Sequence, residues 1–247
     1  MSQNEVKSAR RVLDILRFFA EEKAPASLAR ISQALDFPKS SCLSLLETLT
    51  AEGYAYQVDG RYYLTGRWLR DAQAVSDHDR LAARCRPTLE RLHQEIRETM
   101  ILAKLAKNSV VYLDVIEADR VLRFSAHIGQ HKPVHASASG RALLSALPDE
   151  QQARIARALK YERHTPATPA SARPLLQTIA EGTKRGWQVN LGEYQSDTIS
   201  IAAPARLDGE VVAFVLGAPM SRIGDKVDQL GAALARAAAD LTAHSRS

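Results

Sequence analysis

At Gly53 the hydrophobic period of the chain changes from 3.6 to 2, and the signals on either side of that change leave few folds open to the N-terminal region. Upstream, Val12, Ile15, Leu16 and Phe19 stand at i, i+3, i+4 and i+7, one face of a helix that ends near Glu22 and is closed by Ala24-Pro25. Ser27 suits the N-cap of a short second helix with Leu28, Ile31 and Leu35 inward. Asp36-Phe37-Pro38 breaks the chain again, and Pro38 opens a third helix, where its missing N–H costs nothing. This helix runs to about Glu52, with Cys42, Leu45, Leu46 and Leu49 on its apolar face, Ser40, Ser41, Ser44, Glu47 and Thr48 opposite, and Gly53 as C-cap. Downstream, Tyr54 to Val58 and Arg61 to Leu64 flank Asp59-Gly60, a pair that tolerates the positive φ of a type I′ hairpin turn. Three short helices and a hairpin make a winged helix-turn-helix over residues 1–65. Its apolar faces bury one another and leave the polar face of the third helix free for a groove.

The alternative for such a unit is a small helical module that binds only protein. A hydroxyl-lined third helix beside a basic wing tip favours double-stranded DNA. Ser40, Ser41, Leu43 and Ser44 are the candidates for bases, and Lys39, Arg61 and Arg67 for phosphates. The third helix is poor in Arg, Asn and Gln, the usual bidentate readers of base edges. Net charge does not locate the site: 33 Lys and Arg stand against 28 Asp and Glu over the chain, and ten against eight in residues 1–70.

With 247 residues, 45% of them hydrophobic and 25% charged, the chain has the composition of one or two folded domains, which excludes disordered and fibrous classes. Apolar stretches such as Ile199 to Ala205 fall far short of the roughly 20 residues of a membrane span, and the polar start is unlike a signal peptide. The expectation is a cytoplasmic protein with no membrane partner. Two isolated cysteines, Cys42 and Cys85, supply neither a disulfide framework nor a metal site and fit a reducing compartment.

Residues 66–78 read as a linker helix, with Asp77-His78-Asp79 as a seam before a second domain over 79–247. That domain is expected to be α+β with a mainly antiparallel sheet. Strand-like runs occupy Met100 to Leu105, Val110 to Ile116, Val121 to Phe124, Ile199 to Leu207 and Val211 to Leu216, the last two joined by Asp208-Gly209. Helices are expected near Ser139 to Ala146, after Pro148, from Ser171 to Arg185 with Gly186 as stop, and along Val227, Leu230, Leu234 and Leu241.

No GxGxxG, GxxxxGK[ST], GxSxG or HExxH occurs, and no elbow of glycines surrounds the serines of Ser137-Ala138-Ser139-Gly140 beside His135. No catalytic residue and no cofactor is expected; the rival class is an enzyme acting on a small organic acid with a DNA-binding module attached. Unpaired N–H groups at the helix start near Ser137 suit an anion. His127, His131 and His135 recur every four residues, but Gly129 and Pro133 argue against a helix that would align them on a metal. Phe124, Ser137, Asn190, Thr198 and Ser200 offer the mixture of apolar wall and hydrogen-bonding groups that suits binding without turnover.

In order and spacing, several strings together resemble the IclR family of bacterial transcriptional regulators. They are Phe37-Pro38-Lys39-Ser40-Ser41, Gly60-Arg61-Tyr62-Tyr63-Leu64, Val111-Tyr112-Leu113-Asp114, His135 to Leu144, Arg185-Gly186-Trp187 and Ile201-Ala202-Ala203-Pro204. The resemblance covers nearly the whole chain. It implies a winged helix, a linker helix and a GAF-like effector-binding domain, working as a homodimer or a dimer of dimers. Trp68 and Leu69 of the linker are the expected seam between copies. Leu43-Ser44 stands where His-Arg is common in the family, Asn190 where an acid is common, and Ser200 where Cys is frequent. The family's effector-contact positions fall on Val121, Phe124, Ala138, Ser139, Asn190, Ser200, Val215 and Gly217. The implied effector is a small carboxylate, an aromatic one favoured. Its charged end would meet Ser137, Ala138 and Ser139, and its body would lie against Val121, Phe124 and Val215, with Gly217 leaving room for a ring.

Overall fold

In the computed structural model the first apolar stripe forms α1 (Lys7–Glu22), with Ile15 and Phe18 buried. Residues 6–78 and 80–244 are described, so Asp79 of the expected seam lies outside the described residues. Two units separate in the chain, Met1–Asp79 and Arg80–Ser247.

In the first unit, β1 (Ala26–Ser27) leads into α2 (Leu28–Ala34), whose cap is the Ser27 hydroxyl accepting the Arg30 N–H at 3.3 Å. α3 (Lys39–Ala51) begins after Pro38 and ends in a Schellman turn. There Gly53 takes φ +74°, the Tyr54 N–H donates to the Leu49 carbonyl at 2.8 Å and the Gly53 N–H to that of Thr50 at 3.0 Å. β2 (Ala55–Val58) and β3 (Arg61–Leu64) pair through the expected hairpin, with Asp59 at φ 48° and Gly60 at φ 73°. β1 adds to the outer side of β3, a third strand too short to show a period. Ile15, Phe18, Ile31, Cys42, Leu46, Leu49 and Tyr62 form the core.

α4 (Arg67–His78) corrects one expectation. Trp68 turns back onto its own unit, its indole N–H donating to the Tyr54 carbonyl at 3.0 Å and its ring 4.6 Å from that of Tyr54. Leu69, 74% exposed, and Val75, 70% exposed, are the apolar side chains left outside.

The second unit holds α5 (Arg80–Ile96), β4 (Thr99–Ala106), β5 (Ser109–Ile116), β6 (His131–Pro133), α6 (Ala138–Ser145), α7 (Asp149–Ala158), α8 (Ala172–Arg185), β7 (Gln188–Leu191), β8 (Thr198–Leu207), β9 (Glu210–Pro219), α9 (Met220–Ile223) and α10 (Val227–His244). The strands form one sheet in the order β6-β5-β4-β9-β8-β7, every neighbouring pair antiparallel. On one face, α5 and α10 cover Met100, Leu102, Phe214 and Leu216, with Cys85 and Leu89 in the same core. On the other, α6 and α8 bring Leu143, Leu144, Leu175 and Ile179 against Ile101, Ala103, Ala202 and Val215. The fold is a helix-turn-helix unit followed by an α/β unit with an antiparallel sheet.

The run Val121 to Phe124 is loop, not strand. The Glu117 carboxylate organises it instead, accepting from the Ser125 hydroxyl at 2.6 Å, the Ala126 N–H at 2.9 Å and Arg123 at 3.0 Å. These bonds hold the Glu117 carboxyl below its usual range, the Ser125 hydroxyl contributing most.

Candidate functional site

The outer face of α3 carries Lys39, Ser40, Ser44, Glu47 and Thr48 exposed, with Ser41 and Leu43 half-buried on its flank. The Ser44 hydroxyl donates to the Ser40 carbonyl at 3.2 Å and that of Thr48 to Ser44 at 2.8 Å, so both remain free to accept. Arg61 is exposed at the wing, one end reaching the Pro25 carbonyl at 3.4 Å. Arg67 is not a free cation of this face. Its guanidinium lies 4.6 Å over the Tyr54 ring, donates to the Glu52 carbonyl and pairs with Asp71 at 3.7 Å, so it ties the end of α3 to α4. Its phosphate role is withdrawn on that ground.

In the second unit a narrow cleft opens among β5, β6, β7 and β8, with an enclosed volume of about 20 Å³. Tyr112, Phe124, Lys132, Ala136, Ser137, Asn190, Tyr194, Thr198 and Ser200 line it. It therefore brings together five of the expected residues, Phe124, Ser137, Asn190, Thr198 and Ser200. Asn190 is a strut: its amide donates to the Ala136 carbonyl at 2.6 Å and its oxygen accepts the Glu193 N–H at 3.0 Å. Ser137 donates to the Pro133 carbonyl at 2.7 Å and caps α6 by accepting the Gly140 N–H at 3.1 Å. Burial raises the Tyr112 hydroxyl above its ordinary range, with Tyr194 adding to the effect and Ser139 opposing it.

Five expected contacts do not line the cleft. Val121 is fully exposed on its loop. Ala138 and Ser139 are buried at a helix start packed so closely on the Val134 backbone that a Cβ on Gly140 would lie 2.3 Å from the Val134 carbonyl oxygen. Val215 lies in the core beneath α6. Gly217 does make room for a ring, but the ring is that of Phe124, which a Cβ at 217 would approach to 2.6 Å.

Tyr112, Lys132, Ala136 and Tyr194 were not expected. Tyr112 was legible, because alternation along β5 turns it to the same side as Val110. Lys132 pairs with Val110 in register and points the same way, but the three residues of β6 are too few to show alternation. Lys132 is 7% exposed. Its ammonium lies 4.2 Å from the Tyr194 ring centroid and 5.9 Å from that of Phe124. Burial lowers its pKa.

Tyr194 belongs to a loop anchored from behind. Arg141, wholly buried in α6, donates to the Glu193 carboxylate and the Val189 carbonyl, while the hydroxyls of Thr165 and Thr168 hold Gly192 at 2.8 Å and Glu193 at 2.6 Å. His164 packs 4.7 Å from the Tyr194 ring and 5.9 Å from buried His135, whose Nε2 lies 2.9 Å from the Glu162 carbonyl. His131 is exposed beside the Ser109 hydroxyl at 2.9 Å. Among the described residues no three His, Cys, Asp or Glu side chains gather as metal ligands, and no helix is long and apolar enough to cross a membrane.

A helix-turn-helix with a polar third helix, carried on one chain with a separate α/β unit, defines a DNA-binding transcriptional regulator. Comparison with known proteins narrows the class. Residues 8–59 match the IclR helix-turn-helix domain and residues 72–243 the C-terminal domain of bacterial transcriptional regulators of the IclR type. The chain belongs to the IclR family of bacterial transcriptional regulators. It is 31% identical over 234 residues to the probable transcriptional regulator SauR of Cupriavidus necator, covering 93% of this chain and 92% of SauR. The transcriptional repressor IclR of Escherichia coli is 28% identical over 245 residues, with 96% and 89% covered. Among solved structures, Thermotoga maritima IclR superposes with a TM-score of 0.77 at 16% identity, over 98% of this chain and all of that one. An IclR homologue from Microbacterium hydrocarbonoxydans, complexed with 4-hydroxybenzoate, gives 0.67 at 25% identity, over 97% and 99%.

Proposed function

We propose that the cleft of the second unit binds a small organic carboxylate, an aromatic one favoured, and that its occupancy alters operator binding by the α3 face in a homodimer or dimer of dimers. Ser40, Ser41, Leu43 and Ser44 face bases, and Lys39 and Arg61 face phosphates. The observation that carries the reading is the lining of the cleft, where Tyr112, Phe124 and Tyr194 offer flat apolar walls beside the hydroxyls of Thr198 and Ser200. The enclosed space, about 20 Å³, holds little more than a water molecule, so a single-ring acid enters as the lining side chains move aside. The 4-hydroxybenzoate complex of the Microbacterium homologue supports this choice. Exposed Leu69 and Val75 on α4 are the apolar surface offered to a second copy.

A band-shift titration on DNA upstream of the protein's own gene, with and without benzoate and 4-hydroxybenzoate, tests the reading. The expected result is selective binding over random duplex and a shift of about 5- to 150-fold in DNA affinity with one acid, the range of a coupling of about 1–3 kcal/mol. Equal affinity for both duplexes defeats it.

A further inference from the structure

An ammonium with little access to water is costly without a partner; Lys132 is 7% exposed, its stem buried and its Nζ left a small opening onto the cleft. Its ammonium makes no hydrogen bond and no ion pair among the described residues. The carboxylates nearest in sequence to the two rings are committed elsewhere: Glu193, next to Tyr194, is held by Arg141, and Glu117, on the loop before Phe124, by Ser125, Ala126 and Arg123. The lining of the cleft contains no Asp or Glu. Two aromatic rings face the charge, a contact that only partly replaces water.

Accepting that the cleft is the effector site, we infer that Lys132 is the group that recognises the effector's charge: a monoanionic carboxylate seats on its ammonium, between the rings of Phe124 and Tyr194, and not on the start of α6. A charge-assisted hydrogen bond to Nζ supplies the partner that the chain withholds. The flat body of the ligand then lies toward Tyr112 and Phe124, and the Ser200 hydroxyl, half-buried on the same wall, is within the lining to meet a polar substituent. A second negative charge on the ligand would find no cation in the lining, so dicarboxylates are selected against.

Calorimetry on the full-length protein with benzoate, 4-hydroxybenzoate and their primary amides, for wild type, Lys132→Met and Lys132→Arg, tests the assignment, together with melting curves without ligand. The wild type is expected to bind at least one acid about tenfold or more tightly than its amide. Lys132→Met should bind acid and amide alike and melt higher than wild type, because the buried charge is gone, and Lys132→Arg should keep part of the preference for the acid. Acid binding by Lys132→Met equal to that of wild type overturns the assignment and leaves the cleft as the effector site. Loss of acid and amide binding together with a lower melting temperature makes Lys132 a packing residue and also overturns it. If the wild type binds neither acid at millimolar concentration, the carboxylate reading of the cleft falls and this assignment with it.

Discussion

Gly217 shows how one missing side chain sets the wall of the cleft. The Phe124 ring fills the space a Cβ would take, and the Thr99 hydroxyl fixes the Phe124 carbonyl at 2.6 Å, so the ring cannot retreat freely. Gly217→Ala is expected to destabilise the chain by about 1–3 kcal/mol, the usual cost of overpacking, and to change ligand affinity at the same time. Urea denaturation with a calorimetric titration reads both; an unchanged midpoint would show a mobile ring. His135 adds a dependence on pH. Burial is the main cause that holds its imidazole below the ordinary 6.5, outweighing the bond to the Glu162 carbonyl. The unfolded chain therefore takes up that proton first. The stability tied to His135 is full above about pH 6.5 and is lost as the pH falls through the folded value. His135→Phe should accordingly lose less stability than wild type between pH 7 and pH 5, measured as urea midpoints. Sequence reasoning reached Phe124, Ser137, Asn190, Thr198 and Ser200, since small polar and aromatic residues next to recognisable strings mark a pocket. It missed Lys132 and misplaced Arg67 for a shared reason: the surroundings of a long cationic side chain are set in three dimensions, here the Tyr54 ring and Asp71 about Arg67 and the Tyr194 ring beside Lys132.

At the scale of elements, those that announce themselves by period and punctuation were legible: α1 by its stripe, α3 by Pro38 and Gly53, the β2-β3 and β8-β9 hairpins by Asp-Gly. β1 and β6, of two and three residues, cannot display a period of 2, and they exist because a longer strand offers each an edge. Val121 to Phe124 erred the other way, an apolar run kept out of the sheet by the bonds to Glu117. The wing and α3 carry separable predictions. Arg61→Ala should weaken binding to every duplex and lower the slope of log affinity against log salt by about one, because one phosphate contact is lost. Ser44→Ala should leave the salt slope unchanged and alter base preference, which selection from a randomised duplex pool would reveal. If Ser44→Ala leaves the selected sequence unchanged, α3 does not read bases at that position. The cap of α2 gives a check on folding alone: Ser27→Ala is expected to cost about 1 kcal/mol, since it leaves the Arg30 N–H without its acceptor.

Across the whole molecule, a winged helix reads only a few base pairs, and two of them on a two-fold axis read a half-site pair with much greater affinity. With Trp68 turned inward, Leu69 is the exposed apolar side chain of α4 on which the proposed pairing would rest. Leu69→Glu should shift the protein toward monomer in light scattering at micromolar concentration and weaken operator binding in parallel, while the melting curve stays near that of wild type. An unaltered mass would place the seam elsewhere. The two cysteines lend themselves to following the units one at a time. Cys42 lies in the core of the first unit and Cys85 in the core of the second, both wholly buried, and burial pushes the Cys85 thiol up to about 11 and raises that of Cys42 as well. Neither reacts as a thiolate until its own unit opens. Each unit thus carries a built-in clock: the alkylation rate at Cys42 counts openings of the DNA-binding unit, and that at Cys85 counts openings of the other. Mass spectrometry after timed exposure to a thiol reagent would show which half of the chain a small acid quiets and which a duplex quiets, with no residue replaced.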